Sequence, residues 1–89
     1  MEISDIEIFA QSKFSEYQME EIKLGLIEHL EVIIYANPEF TPEQMSVIRK
    51  GLKRRFNVST YANPELSLEE MEDCYSKLEQ KYLFSVLFS

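Results

Sequence analysis

Cysteine, histidine, glycine and tryptophan are nearly missing from this 89-residue chain, which has one cysteine, one histidine, two glycines and no tryptophan. A single cysteine excludes an internal disulfide, and Cys74 with His29 cannot complete a structural zinc site by themselves. Two isolated glycines make no glycine-rich phosphate loop. No run approaches the roughly 18 apolar residues of a membrane span. The opening Met1-Glu2-Ile3-Ser4-Asp5 is too acidic for a secretory signal. Positive charge is scarce as well: nine Lys and Arg stand against sixteen Asp and Glu, a net charge of −7. Apolar residues, at 45%, are plentiful enough for a packed core, and the length suits one small domain. The expectation is a cytoplasmic protein with no metal, no cofactor and no membrane segment.

What the chain does contain is a repeat. Tyr35-Ala36-Asn37-Pro38-Glu39-Phe40 returns 26 residues later as Tyr61-Ala62-Asn63-Pro64-Glu65-Leu66. Gln18-Met19 returns as Gln44-Met45 and, weakened, as Glu70-Met71; Gly25-Leu26 returns as Gly51-Leu52. Phe9-Ala10 and Phe14 stand at the same offset before Tyr35-Ala36 and Phe40. A fixed period between about 20 and 50 residues marks units that bury their apolar faces against one another. The chain reads as one domain, residues 1–89, with a partial unit at 1–14 and further units at 15–40, 41–66 and 67–89.

Ser15-x-x-Gln18, Thr41-x-x-Gln44 and Ser67-x-x-Glu70 are capping boxes, with Pro42 at a first helical position where its missing N–H costs nothing. Apolar residues follow in helical steps: Met19, Ile22, Leu26, Leu30; Met45, Ile48, Leu52, Phe56; Met71, Cys74, Leu78, Tyr82. Long helices are predicted at roughly 16–29, 42–55 and 68–82. Between them the kept apolar positions are Ile6/Phe9/Ala10, Val32/Tyr35/Ala36, Val58/Tyr61/Ala62 and Phe84/Leu87/Phe88, an i, i+3, i+4 pattern. These predict short helices of one to two turns, the last folding back to close the chain. The fold class is all-α, a small solenoid-like array of alternating short and long helices. Mid-helix Gly25 and Gly51 predict close approach of a neighbouring backbone. Lys77, at their position in the last unit, suits a unit with no further neighbour.

The Gln-Met, Ile, Gly-Leu and closing Tyr-Ala-x-Pro-Glu-Phe units resemble a tandem helical repeat found in proteins of phages and mobile elements from Gram-positive bacteria. The resemblance spans nearly the whole chain and is strongest over residues 14–66. It implies a biological context, a bacterial host cell, rather than a chemistry. Where that family often has glycine near the end of the long helix, this chain has His29 and Arg55.

No catalytic residue emerges. His29 has no nucleophile and orienting group near it in sequence, and Cys74 occupies the core register of the third helix, which predicts a structural thiol. Charge carries the remaining information. Residues 1–14 sum to −2, 15–40 to −5, 41–66 to +3 and 67–89 to −3. The basic cluster Arg49, Lys50, Lys53, Arg54 and Arg55 can pair with glutamates of neighbouring helices. As a functional surface, the acids Glu16, Glu20, Glu21, Glu28 and Glu31 are the candidates for holding a basic partner protein, because an acidic protein is drawn to surfaces that ordinarily bind phosphates. Small phage proteins that this profile resembles in size and charge include anti-CRISPR proteins, which block a nuclease's nucleic-acid channel or another of its surfaces. The expected function is therefore that of a non-enzymatic inhibitor occluding a basic surface of a host effector, possible partners including a CRISPR nuclease. Direct nucleic-acid contact through the basic helix is the alternative, opposed by the net charge. A self-associating module is a third, with Tyr82–Phe88 as the surface through which a homodimer would form.

Overall fold

The computed structural model describes residues 14–88. The partial first unit, with the short element expected around Asp5–Ala10, lies outside the described residues. The described chain is all-α: α1 (Glu16–Ile27), α2 (Pro42–Lys53) and α3 (Leu68–Leu87), with single 3₁₀ turns at Val32–Ile34 and Val58–Thr60 and no strand among the described residues.

Each helix starts as its sequence dictates. The hydroxyls of Ser15, Thr41 and Ser67 accept the N–H groups of Gln18, Gln44 and Glu70, whose side chains accept the cap N–H in return. The exits of α1 and α2 are also alike. Leu30 N–H donates to the Gly25 carbonyl (2.9 Å) and His29 N–H to Leu26 (3.1 Å); Phe56 donates to Gly51 (2.8 Å) and Arg55 to Leu52 (3.0 Å). That pair of bonds closes a helix through a left-handed residue, here His29 at φ 61° and Arg55 at φ 63°. The helices thus end at Ile27 and Lys53, two residues before the sequence pattern suggests.

The short helices shrink to one 3₁₀ turn because an Asx turn follows at once. Asn37 Oδ1 accepts Glu39 N–H and the Asn37 carbonyl accepts Phe40 N–H; Asn63, Glu65 and Leu66 repeat both bonds. The turn returns the chain to the start of the next helix. The Gln18 amide donates to the carbonyls of Pro38 (3.0 Å) and Phe40 (2.6 Å), and the Gln44 amide to Leu66 (2.7 Å). Gln18 and Gln44 are buried on these contacts, whereas Glu70, at the same position of α3, faces water. Helix starts therefore sit beside helix starts, so α1 packs on α2 and α2 on α3 side by side and parallel.

Mid-helix glycine has a different purpose from the one expected. What approaches is a side chain, not a backbone. A Cβ at Gly25 would lie 2.1 Å from the Tyr35 hydroxyl oxygen and 2.6 Å from Val32 Cγ1; at Gly51 the same distances separate it from Tyr61 and Val58. The Tyr35 hydroxyl donates to the Glu21 carbonyl (2.7 Å) and the Tyr61 hydroxyl to Val47 (3.0 Å). Each 3₁₀ turn is thereby locked onto its own helix, with both tyrosines fully buried.

The last unit lacks every part of this device. Lys77 stands where glycine is needed, Leu87 where tyrosine is needed, and Lys81, at the place of His29 and Arg55, is helical. Leu83–Phe88 therefore does not fold back: α3 runs on to Leu87, and the expected closing helix is absent. The core comprises Ile22, Val32, Tyr35, Phe40, Met45, Val47, Ile48, Val58, Tyr61 and Met71. Met45 and Met71 are inaccessible, while Met19 is half-buried and Leu26, expected on the apolar face, is 45% exposed.

Candidate protein-binding surface

The ten candidate residues separate into an inner and an outer set. Arg49, 14% exposed, donates from Nε to Glu21 (2.9 Å) and from Nη1 to Glu28 (3.2 Å), and Lys53 Nζ donates to the other Glu28 oxygen (3.0 Å). Arg54 donates to Glu79 and, at 3.4 Å, to the Tyr75 hydroxyl, and its guanidinium lies 5.1 Å from the Phe56 ring centroid and 5.3 Å from that of Tyr82. Glu21, Glu28, Arg49, Lys53 and Arg54 are thus bound up in contacts between helices. Glu16, Glu20, Glu31, Lys50 and Arg55 are exposed and have no ion pair among the described residues.

The local electrostatics follow. The Lys53 ammonium holds the Glu28 carboxyl below the usual carboxylate range against an opposing desolvation, and Arg49 adds to the effect. Burial disfavours charge on Arg49, but its bonds to Glu21 and Glu28 outweigh that and raise its pKa. Tyr75 and Glu79 raise that of Arg54. Burial pushes the phenol of Tyr35 up to about 12 and that of Tyr61 in the same direction.

Parallel packing of the helices gathers much of the charge toward two edges, with Lys23, Glu72, Asp73 and Lys77 exposed between them. The helix starts and the returning turns beside them carry Glu16, Glu20, Glu39, Glu43, Glu65, Glu69 and Glu70, all exposed, and no Lys or Arg lies within residues 14–22, 36–48 or 56–76. The helix ends carry Lys50, Lys53, Arg54 and Arg55. This arrangement also suits the helix dipoles, positive at their starts and negative at their ends. Glu39, Glu43, Glu65, Glu69 and Glu70 lie outside the segment that supplies the sequence candidates. Their signal was present, since Glu39/Glu65 and Glu43/Glu69 are both 26 residues apart. Glu31 and Glu28 belong to the opposite edge, where with His29, Leu30, Leu52, Lys53 and Arg55 they line an open groove of about 490 Å³.

No group of metal-ligating side chains occurs among the described residues. His29 is exposed at the α1 exit, and Cys74 is half-buried against the core. No helix of the described residues is long and apolar enough to cross a membrane. In comparison with known proteins, no family model matches the chain, and neither a curated protein nor a solved structure matches it significantly.

Proposed function

We propose that this chain is a non-enzymatic binding protein, a small solenoid-like helical array that sets its acidic edge against a basic, nucleic-acid-binding surface of a host effector. The observation that carries the reading is the edge itself: seven exposed glutamates, from Glu16 to Glu70, with no cation among them. Such an edge competes with phosphates for Lys and Arg, associates fast and weakens with salt. The resemblance to phage and mobile-element repeats supports a bacterial host, and a CRISPR nuclease is the kind of effector it would inhibit. The basic-helix alternative has less to stand on, because Arg49, Lys53 and Arg54 are engaged with Glu21, Glu28 and Glu79 inside the molecule.

The test is competition: a bacterial nucleic-acid-guided nuclease is titrated with this protein at rising salt, and displacement of labelled DNA is read. The variant Glu16→Gln/Glu43→Gln/Glu69→Gln is expected to lose at least tenfold in displacement with its helix content kept. Lys50→Ala/Arg55→Ala is expected to leave displacement unchanged. The reverse pattern would transfer the activity to the basic edge.

A further inference from the structure

We propose that the protein forms a two-fold homodimer through the exposed last turns of α3, an antiparallel contact between two copies crossing near Ser85. Arg54, just past the end of α2, meets Glu79 of α3, yet α3 continues eight residues beyond, to Leu87, about 12 Å of helix at 1.5 Å per residue. From Leu83 to Leu87 this overhang is apolar except for Ser85. Leu83 and Leu87 are one turn apart, and Phe84 and Phe88 are likewise, with ring centroids 4.5 Å apart. Leu83 is 50% exposed, Phe84 65%, Leu87 76% and Phe88 72%. A helix apolar all round is a buried helix. The exposed apolar surface of the overhang is on the order of 500 Å², near the upper range for a whole monomer. Two such surfaces, together with the walls they reach, approach the roughly 1,000 Å² that a specific dimer needs.

Charge permits a second copy as the occupant. Residues 82–88 carry no charge, and the overhang leaves the molecule at the edge bearing Lys53, Arg54 and Arg55. Two chains that meet there keep their acidic edges at opposite ends of the assembly; the cost is that Arg55 and Lys81, beside the groove of each copy, approach those of the other, while Arg54 is already paired with Glu79. Shape agrees. At the base of the overhang is an open groove of about 520 Å³, lined in part by Phe56, Leu78, Tyr82 and Ser85. Ser85 is the one small side chain between Tyr82 and Phe88. An antiparallel crossing there brings the Phe88 tip of each copy toward the groove of the other and gives each copy the same contact, as a two-fold axis requires.

Sedimentation velocity over a hundredfold concentration range tests the proposal. The wild-type mass is expected to rise from one chain to two and stop there. Phe84→Glu/Leu87→Glu, which alters only exposed side chains, is expected to remain a monomer with unchanged helix content. In a Cys74→Ser background, Ser85→Cys is expected to crosslink two copies under mild oxidation. A wild-type monomer at every concentration, a mass that grows past two chains, or a dimer that survives Phe84→Glu/Leu87→Glu would each overturn it, and absence of the Ser85→Cys crosslink in a dimer would overturn the crossing.

Discussion

The α1–α2 and α2–α3 contacts share one backbone plan and differ in chemistry. At the first, Glu28 of the earlier helix faces Lys53 of the later; at the second, the equivalent residues are Arg54 and Glu79, the same pair with its signs exchanged. Glu21 and Arg49, a half-buried ion pair at the first contact, correspond to Val47 and Tyr75 at the second, where Phe56 adds rings 5.4 Å from Tyr75 and 6.2 Å from Tyr82. The caps, the tyrosine seats and the left-handed exits make a helical unit. The side chains between units decide which helix lies beside which. Were α1 placed against α3, Glu28 would meet Glu79, two carboxylates with no cation between them, so the exchanged signs penalise the wrong neighbour.

The largest expected effect tests what the two contacts have in common. Gly25→Ala and Gly51→Ala each drive a methyl into a buried tyrosine hydroxyl and should cost about 2–3 kcal/mol in urea unfolding. Adding Tyr61→Phe to Gly51→Ala should recover only part of the loss, since it removes the 2.1 Å contact but leaves Val58 Cγ1 at 2.6 Å. Equal stability of wild type and Gly51→Ala would remove the seat from the account. A middle-sized effect tests what differs. Arg54→Glu and Glu79→Arg should each lower the thermal midpoint, and the double exchange should restore most of it, although the ring contacts of Arg54 are not recovered. The first contact should also respond to acid. With the Glu28 pKa depressed in the folded chain, its contribution is complete above the ordinary carboxylate pKa and lost as pH falls through the lowered one. The smallest effect concerns the exits: His29→Gly and Arg55→Gly should each stabilise by about 0.5–1 kcal/mol, by relieving a side chain at positive φ.

Much of the fold was legible because it rests on local chemistry. Ser15, Thr41 and Ser67 mark the helix starts in sequence and in space. The helix ends are less legible, because His29 and Arg55 take a left-handed turn that their residue types do not announce. A repeated glycine records closeness without naming what comes close, so the sequence does not distinguish a backbone from the tyrosine hydroxyls that meet Gly25 and Gly51. The run-on of α3 had a readable sign: Lys77 and Leu87 replace glycine and tyrosine together, so the seat and its occupant are lost as a pair. The candidate surface was legible only in part. Counting charge helix by helix mixed Glu21 and Glu28, which hold α2, with Glu16 and Glu20, which face water. Parallel packing, a tertiary property, joins Glu16 and Glu20 to Glu39, Glu43, Glu65, Glu69 and Glu70.

Gln18 and Gln44 each give an amide hydrogen to a carbonyl of the turn leading into the next helix, and Glu70, in their place on α3, has only oxygen to offer. An ionised carboxylate repels a peptide carbonyl rather than binding it. One nitrogen exchanged for one oxygen thus withdraws the welcome that α1 and α2 extend to a successor, and elongation by another turn of this kind would require a change at that atom first.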